Sequence, residues 1–150
     1  MTIELRPITK DNLIEVSKLT TNPDNNPTVF EEFVASNAFS IAQASFYPSY
    51  ITEAIYHDDE VVGFVMYGID EDDGLLWIPR FMIDVKHQGK GLGKKSFHIV
   101  LKKLNQQYPG SDIYISFEPE NIIAKHLYTS FGFKETGEIN EGEVVFTLKN

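Results

Sequence analysis

A glycine- and lysine-rich segment, Gln88–Ser96 (QGKGLGKKS), contains the residue types and spacing that most clearly suggest chemistry. Its three alternate glycines would let the backbone approach a ligand without interference from a Cβ atom. An apolar helical pattern follows, and the free N–H groups and dipole of a helix N-terminus attract anions. The segment therefore predicts a binding site for a phosphate or a pyrophosphate.

The distribution of charge along the chain supports an anion site in this segment. The whole chain has 13 basic and 22 acidic residues, and its net charge is −9. Residues 86–103 contain six lysines and no acid, whereas the remainder has 7 basic residues against 22 acidic ones. A local basic patch suits an anion, while the acidic remainder suits a cationic partner and disfavours general nucleic-acid binding.

Two common phosphate-binding motifs do not fit the segment. A Walker A loop needs four residues between its glycines and Ser or Thr after its lysine, but three residues separate Gly89 from Gly93 and Lys95 follows Lys94. A dinucleotide fingerprint needs its third glycine one place later, where Lys94 stands. The alternative without a ligand is a glycine-rich turn whose lysines are solvated.

Composition argues against several other classes of protein. The chain has no cysteine, which excludes disulfides, thiolate metal sites and a cysteine nucleophile. Its four histidines show no ligand spacing, so we expect no bound metal. No apolar run reaches the ~20 residues of a membrane span, and the first residues do not resemble a signal peptide. We expect a single domain over residues 1–150 that is cytoplasmic and binds neither membrane nor nucleic acid.

Hydrophobic periodicity predicts the elements that must position this segment, in an α+β or mixed α/β layout. Pro79 removes a backbone donor from its strand, which predicts a bulge or an edge position there. The predicted strands are Thr2–Pro7, Tyr50–His57, Val61–Ile69, Leu75–Asp84 and Asp112–Glu118, followed by a hairpin over Phe133–Leu148. The predicted helices are Asp11–Thr20, one or two within Val29–Phe46, one from Gly91 to Tyr108, and Asn121–Phe131 with Ile123 on its apolar side.

Two motifs in the sequence resemble those of the GNAT acetyltransferase superfamily. Gln88–Gly93 matches its motif A, Q/R-x-x-G-x-G/A, and follows a strand, Phe81–Asp84, like the central strand of the family. Asn121–Phe133 resembles its motif B, N-x-x-A-x-x-L-Y-x-x-x-G-F. The resemblance covers most of the chain. It implies a central twisted, mixed and mostly antiparallel sheet with flanking helices, splayed where acetyl-CoA enters.

The resemblance also implies roles for individual residues, with acetyl-CoA as the cofactor. Met82 and Ile83 would pair with its pantetheine, and Asn121 would contact it. Tyr128 would protonate the departing thiolate, because a phenol of pKa about 10 can donate to a thiolate whose conjugate acid has a pKa of about 8.5. Without the motif, Tyr128 would be read as a core tyrosine. The pyrophosphate would bind at Gln88, Gly89, Lys90, Gly91, Leu92, Gly93 and Lys94.

The acetyl acceptor is expected to be a primary amine of a polyamine. The run Gly63–Asp72 and the strand that follows it resemble bacterial spermine/spermidine N-acetyltransferases. The acidic remainder of the chain would attract such a small polycation. Relatives that acetylate polyamines often carry an acid where Pro79-Arg80 stands here, so the general base is not assigned and could be a water chain that ends on a carboxylate such as Glu118. Candidate ammonium ligands, chosen by charge and position, are the helical pair Glu31 and Glu32 and the sheet-edge carboxylates Glu118 and Glu120.

Two alternatives stay open. The acceptor could be another amine, such as a protein N-terminus, a lysine or an aminoglycoside. The chain could also be a non-catalytic acyl-CoA sensor, although a sensor has no need of a proton donor such as Tyr128. The family often forms homodimers, and the hairpin over Phe133–Leu148 would be the interface.

Overall fold

The computed structural model describes residues 2–28, 31 and 35–150, and these form a seven-stranded sheet with helices on both faces. The strands are β1 (Ile3–Pro7), β2 (Tyr50–His57), β3 (Glu60–Ile69), β4 (Leu76–Ile83), β5 (Ile113–Phe117), β6 (Lys134–Asn140) and β7 (Glu143–Leu148). The helices are α1 (Leu13–Lys18), α2 (Asn37–Ala44), α3 (Leu92–Gln107) and α4 (Ile122–Ser130). A short 3-10 turn spans Val85–His87.

The sheet is mixed and splits in its middle. The strand order is β1-β2-β3-β4-β5-β7-β6, and β4–β5 is the parallel pair while the other neighbours are antiparallel. In the described chain, β4 and β5 pair at two positions, Leu76 with Ile113 and Trp77 with Tyr114. Beyond Trp77 the two strands separate. The predicted fold, a mostly antiparallel mixed sheet that is splayed, is confirmed.

A β-bulge lies where this separation begins. Met66 of β3 pairs with Arg80 and Gly68 pairs with Trp77, so Ile78 and Pro79 together oppose Tyr67. The proline cannot donate to the sheet, and a bulge accommodates the missing hydrogen bond. The bulge expected from Pro79 is therefore confirmed, and it re-aims the side chain of Arg80.

Helices cover the two faces of the sheet with separate apolar clusters. Helix α3 packs Phe97, Val100 and Leu104 against one face, where Tyr128 of α4 joins them. On the other face, Val16 of α1 packs with Phe64, Met66 and Met82. Truncating a fully buried ring such as Phe97 to alanine would cost about 3–5 kcal/mol. The sheet is thus held between two layers, and both layers reach its central split.

Some boundaries and faces differ from the sequence prediction. Helix α1 covers only part of the predicted Asp11–Thr20, and Leu13 is exposed on it. In the predicted region Val29–Phe46, the described helix begins at Asn37, after Ser36 caps it by accepting from the Phe39 amide at 3.2 Å. Residues 29, 30 and 32–34 lie outside the described residues. Ile123 is 82% exposed, so its placement on the apolar side of α4 was wrong.

None of the described helices is long and apolar enough to cross a bilayer.

Candidate active site

The glycine loop joins the C-terminal end of β4 to the N-terminus of α3. Gly89 and Gly91 have φ values of +79° and +78°, a left-handed conformation that strains any residue with a Cβ. A Cβ added at either position would meet nothing within 4 Å, so the backbone conformation and not space requires glycine. Gly91 is the N-cap of α3 and turns the chain into the helix.

Side chains at the end of β4 hold the loop in place. The Asp84 carboxylate is 1% exposed and accepts hydrogen bonds from the amides of Thr20 (2.8 Å) and Lys86 (3.2 Å). The Gln88 amide donates from Nε2 to the Ile83 carbonyl at 3.0 Å. Gln88, the first residue of the predicted phosphate site, therefore fixes the loop against β4 through its side chain.

The N-terminus of α3 offers unpaired donors. Among the described residues, the structure gives no backbone acceptor for the amides of Leu92, Gly93 and Lys94, as expected for the first turn of a helix. The Leu92 side chain is buried in the core, so only its amide can face a ligand. The side chains of Lys90 and Lys94 are exposed beside these amides. The loop, helix dipole and lysines together form a concentrated positive site.

Strand β4 presents an open backbone edge next to the loop. One edge of the strand pairs with β3 through Ile83, but its β5 edge is unpaired in the described chain beyond Trp77. Met82 and Ile83 point their side chains into the clusters on opposite faces, so only their backbone is available in the split. Unpaired backbone groups of this kind can bind an extended chain that carries amides.

Tyr128 reaches the split from the α3–α4 face. Its ring packs on Phe97 and Phe117, with centroid distances of 5.1 and 5.6 Å. Burial, and secondarily the carboxylate of Glu143, raise the pKa of the Tyr128 phenol above its ordinary value. Both effects disfavour the phenolate, so Tyr128 is present as a neutral hydroxyl that carries its proton.

Asn121 has a structural task at the start of α4. Its Oδ1 accepts a hydrogen bond from the Ala124 amide at 3.1 Å and so caps the helix that carries Tyr128. This capping occupies the side-chain oxygen, which leaves the Nδ2 donor for a ligand.

Arg80 and Glu143 lie on the opposite, α1–α2 face of the sheet. Arg80 pairs with Met66, which belongs to the cluster on that face. Glu143 lies two residues before Val145, and its Oε1 accepts a 2.8 Å hydrogen bond from Ser116 of β5. Burial lowers the pKa of Arg80, and the Glu143 carboxylate opposes that shift. One carboxylate therefore acts electrostatically on both Arg80 and Tyr128.

Sequence reasoning did not single out Glu143. It belongs to the acidic stretch Glu141–Glu143 in a hairpin turn, which looks like a solvated turn. Its position becomes apparent only when β7 is placed beside β5, on the edge of β5 that faces away from the split. Arg80 was noted only as a departure from the expected acid.

Three of the four acidic residues predicted to bind ammonium are described, and they lie in two segments, one between α1 and α2 and one after β5. The Glu31 carboxylate accepts from the amide and hydroxyl of Thr21 (2.8 and 2.9 Å) and from the Thr20 hydroxyl (2.5 Å), so it ties the segment after α1. Glu32 lies outside the described residues. Glu118 and Glu120 follow β5, which is an interior strand and not a sheet edge, but its β4 side is open beyond Tyr114.

Known proteins are similar to this chain in sequence and fold. The family model described as "Acetyltransferase (GNAT) family" matches residues 13–133. A spermine/spermidine N(1)-acetyltransferase of Bacillus subtilis (strain 168) is 34% identical over 152 residues, which cover 97% of this chain and 97% of that protein.

Solved structures agree on the fold. An acetyltransferase from Thermus thermophilus has a TM-score of 0.74 at 17% identity and covers 100% of this chain and 98% of its own. The PaiA N-acetyltransferase of Thermoplasma acidophilum, solved in complex with coenzyme A, has a TM-score of 0.67 at 16% identity and covers 100% of both chains. The match to the family model over most of the chain, together with the split sheet and its glycine loop, shows that this protein belongs to the GNAT acetyltransferase family.

Proposed function

We propose that this protein, as one domain, transfers the acetyl group of acetyl-CoA directly to a primary amine of a polyamine such as spermine or spermidine. The observation that carries the proposal is the separation of β4 from β5 beyond Trp77 and Tyr114, because the unpaired part of β4 leads from there to the glycine loop. The split gives a thioester and an amine access to each other from opposite faces of the sheet.

The residues around the split fit acetyl-CoA. The Gly89–Lys94 backbone and the exposed lysines suit a pyrophosphate, and the open edge of β4 around Met82 and Ile83 suits the amides of a pantetheine arm. Acetyl-CoA supplies an acyl group already activated as a thioester, so no covalent enzyme nucleophile is required. Asn121 lies at the start of α4, where its free Nδ2 can donate to the same ligand.

Tyr128 acts as the general acid in this proposal. Its hydroxyl is kept neutral by burial, and it donates its proton to the sulfur as the C–S bond breaks. The packing of its ring on Phe97 and Phe117 holds the ring in one position. A sensor of acyl-CoA would not need such a donor, which favours an enzyme.

The choice of a polyamine has two supports. The Bacillus subtilis relative, at 34% identity, has the name of a spermine/spermidine N-acetyltransferase. The chain is also strongly acidic outside residues 86–103, and a field of that sign concentrates polycations near the protein. Glu118, Glu120, Glu31 and Glu32 remain the candidate carboxylates for the ammonium groups of the acceptor that do not react.

The test is the release of free thiol from acetyl-CoA with a panel of amines at low and high salt. The panel contains spermine, spermidine, putrescine, a lysine peptide, an alanine-terminated peptide and an aminoglycoside. We expect turnover with the polyamines, and we expect kcat/KM to fall as salt screens the acidic field. Turnover of a peptide or the aminoglycoside alone would overturn the substrate. Binding of acetyl-CoA without turnover of any amine would support the sensor.

A further inference from the structure

We infer that Arg80 and Glu143 form the subsite for the reacting nitrogen, where Glu143 receives the proton of the amine and Arg80 favours its neutral form. The inference rests on the proposed acetyl transfer to an amine, but it does not depend on which amine is the acceptor. It assigns the base that the sequence leaves open.

The first support is the arrangement of the two residues around the split. Arg80 lies on β4 beyond the last β4–β5 pair, and the bulge sets the three steps from Trp77 to Arg80 opposite two steps of β3, which is about 7 Å along the strand. Ser116, which donates to Glu143, lies two residues beyond the same pair on β5. The Arg80 cation on β4 and the Glu143 carboxylate, which Ser116 holds against β5 from the neighbouring strand β7, therefore lie at a similar depth, and both groups are on the α1–α2 face.

The second support is the way Arg80 is held. Its Nε donates to the Ser40 hydroxyl at 3.1 Å, and its Nη2 donates to Gln43 Oε1 at 3.2 Å. Its Nη1 donates to the carbonyl of Pro79 at 2.9 Å. All of these acceptors are neutral, and within the described chain no ion pair neutralises the guanidinium. A partly buried, fixed cation of this kind acts on whatever occupies the split.

The charged, titratable and polar groups that face the two residues come from several elements. Glu143 on β7 acts on Arg80, and so does the phenol of Tyr50 on β2. Tyr50 itself donates to Asp70 at 2.8 Å, and Asp73 also acts on it. The neutral Ser40 and Gln43 face Arg80 from α2, and Tyr128 faces Glu143 from α4.

Arg80 offsets the effect that an acidic site has on the pKa of the acceptor amine. Carboxylates raise the pKa of a nearby ammonium and so oppose the formation of the neutral amine that must attack. The cation of Arg80 lowers that pKa, while Glu143 still accepts a hydrogen bond from the amine and orients its lone pair.

Both protons that move during the transfer have a defined donor and acceptor. The nitrogen forms a bond to the acetyl carbon, and the C–S bond breaks. The proton lost by the nitrogen goes to Glu143, and the sulfur takes its proton from Tyr128. Proton exchange with solvent then restores both side chains.

The test measures kcat/KM against pH for four variants, with the best acceptor of the panel. Arg80→Met removes the cation, and Arg80→Lys retains it. Glu143→Gln removes the base but keeps an acceptor for Ser116, and Glu141→Gln is its control in the same hairpin. The KM for acetyl-CoA and the melting temperature are measured for each variant. Arg80→Gln replaces Arg80→Met if the latter does not fold.

We expect the rise in kcat/KM of Arg80→Met to occur at a pH about one unit higher than in the wild type. Activity near pH 7.5 should therefore fall roughly tenfold and recover at high pH. Arg80→Lys should follow the wild-type profile. Glu143→Gln should lose about 10²-fold in kcat with an unchanged KM for acetyl-CoA, whereas Glu141→Gln should behave as wild type.

Other outcomes would overturn the inference. An unchanged pH profile in Arg80→Met, with a higher KM for a carboxylate-bearing peptide, would make Arg80 a ligand for that carboxylate instead. Activity of Glu143→Gln equal to that of Glu141→Gln would remove Glu143 as the base. If the wild type acetylates a peptide and not a polyamine, the proposed substrate fails but this test runs unchanged on the peptide. If no amine is acetylated, both proposals fail.

Discussion

Trp77 of β4 and Tyr114 of β5 are the last residues that pair before the two strands separate, and their ring centroids lie 5.5 Å apart at an interplanar angle of 39°. The indole Nε1 also donates to Asp73 at 3.0 Å, which fixes the ring. The Ile78-Pro79 bulge begins directly after this pair. The aromatic pair therefore marks the closed end of the split. Because Trp77 is the single tryptophan of the chain, its fluorescence can report ligand binding.

Replacing Tyr128 with phenylalanine tests the general acid. The ring and its packing on Phe97 remain, so we expect little loss of stability, but kcat should fall by about 10²-fold because the thiolate leaves without a proton. The KM for acetyl-CoA should change little. Steady-state kinetics measure both parameters.

Tyr108→Phe is the matched control for this change, since Tyr108 lies at the far end of α3 and also has a pKa raised by burial. It should retain wild-type turnover. Full activity in Tyr128→Phe would remove Tyr128 from the mechanism.

The pH dependence follows from the raised pKa of Tyr128. A donor with a raised pKa stays protonated to a higher pH than a free phenol, so it imposes no decline below about pH 10. The acceptor amine loses its proton over the same range. We expect kcat/KM to rise steadily from about pH 7 to about pH 9 without a maximum. Initial rates in constant ionic strength buffers measure it, and a flat profile would contradict the proposed proton transfers.

Gly91→Ala tests the phosphate loop. The left-handed backbone at this position makes a Cβ unfavourable by about 1–2 kcal/mol, so the loop should relax and its amides should lose their alignment. We expect acetyl-CoA to bind at least tenfold more weakly, as measured by titration of Trp77 fluorescence.

Gly110→Ala is the control for that change. Gly110 has φ +80° and open space around it, like Gly91, but it follows the other end of α3. It should lose similar stability and keep its affinity for acetyl-CoA. An equal loss of affinity in both variants would mean that general destabilisation, and not the loop, weakens binding.

An ion pair between a buried carboxylate and a partly exposed ammonium links the sheet to α3 and should matter for stability alone. Glu53, 4% exposed, accepts from Lys103 Nζ at 2.5 Å and from the Tyr67 hydroxyl at 2.6 Å. Glu53→Gln leaves the ammonium without its anion, and we expect a loss of about 1–3 kcal/mol in the free energy of unfolding. Urea denaturation measures it.

Glu4→Gln is the comparison for that variant, because the Glu4–Arg6 pair is partly exposed and such pairs contribute little. Its unfolding free energy should change by less than about 0.5 kcal/mol. If Glu53→Gln were equally neutral, the buried pair would contribute nothing measurable.

The order of elements and the glycine loop were predictable because local patterns encode them. The stripe Phe97, Val100, Leu101 and Leu104 follows helical spacing, and all four side chains are buried as predicted. Pro79 predicted the bulge because a residue without a backbone N–H is tolerated at only a few positions in a sheet, such as a bulge or an edge. Ile123 was misplaced because one apolar residue at helical spacing does not show whether a neighbour covers it, and none does here.

The residues around the acceptor amine were much harder to predict. Glu143 is more than sixty residues from Arg80 in the sequence, and only the pairing of β7 with β5 brings it next to Ser116, on a strand that lines the split. Acidic turns look alike in a sequence, so charge alone gave Glu31 and Glu118 equal weight. In the structure the Glu31 carboxylate accepts hydrogen bonds from Thr20 and Thr21, and the sequence does not reveal these contacts.

A competition experiment tests the proposed acetylation of a polyamine most directly. The protein is incubated with acetyl-CoA and an equimolar mixture of spermidine, an alanine-terminated peptide and a lysine peptide at pH 8. Mass spectrometry then gives the ratio of acetylated products, which equals the ratio of the kcat/KM values at equal concentrations. We predict that acetylspermidine dominates at low salt and that Tyr128→Phe lowers all products together. A predominance of either acetylated peptide would contradict the proposal.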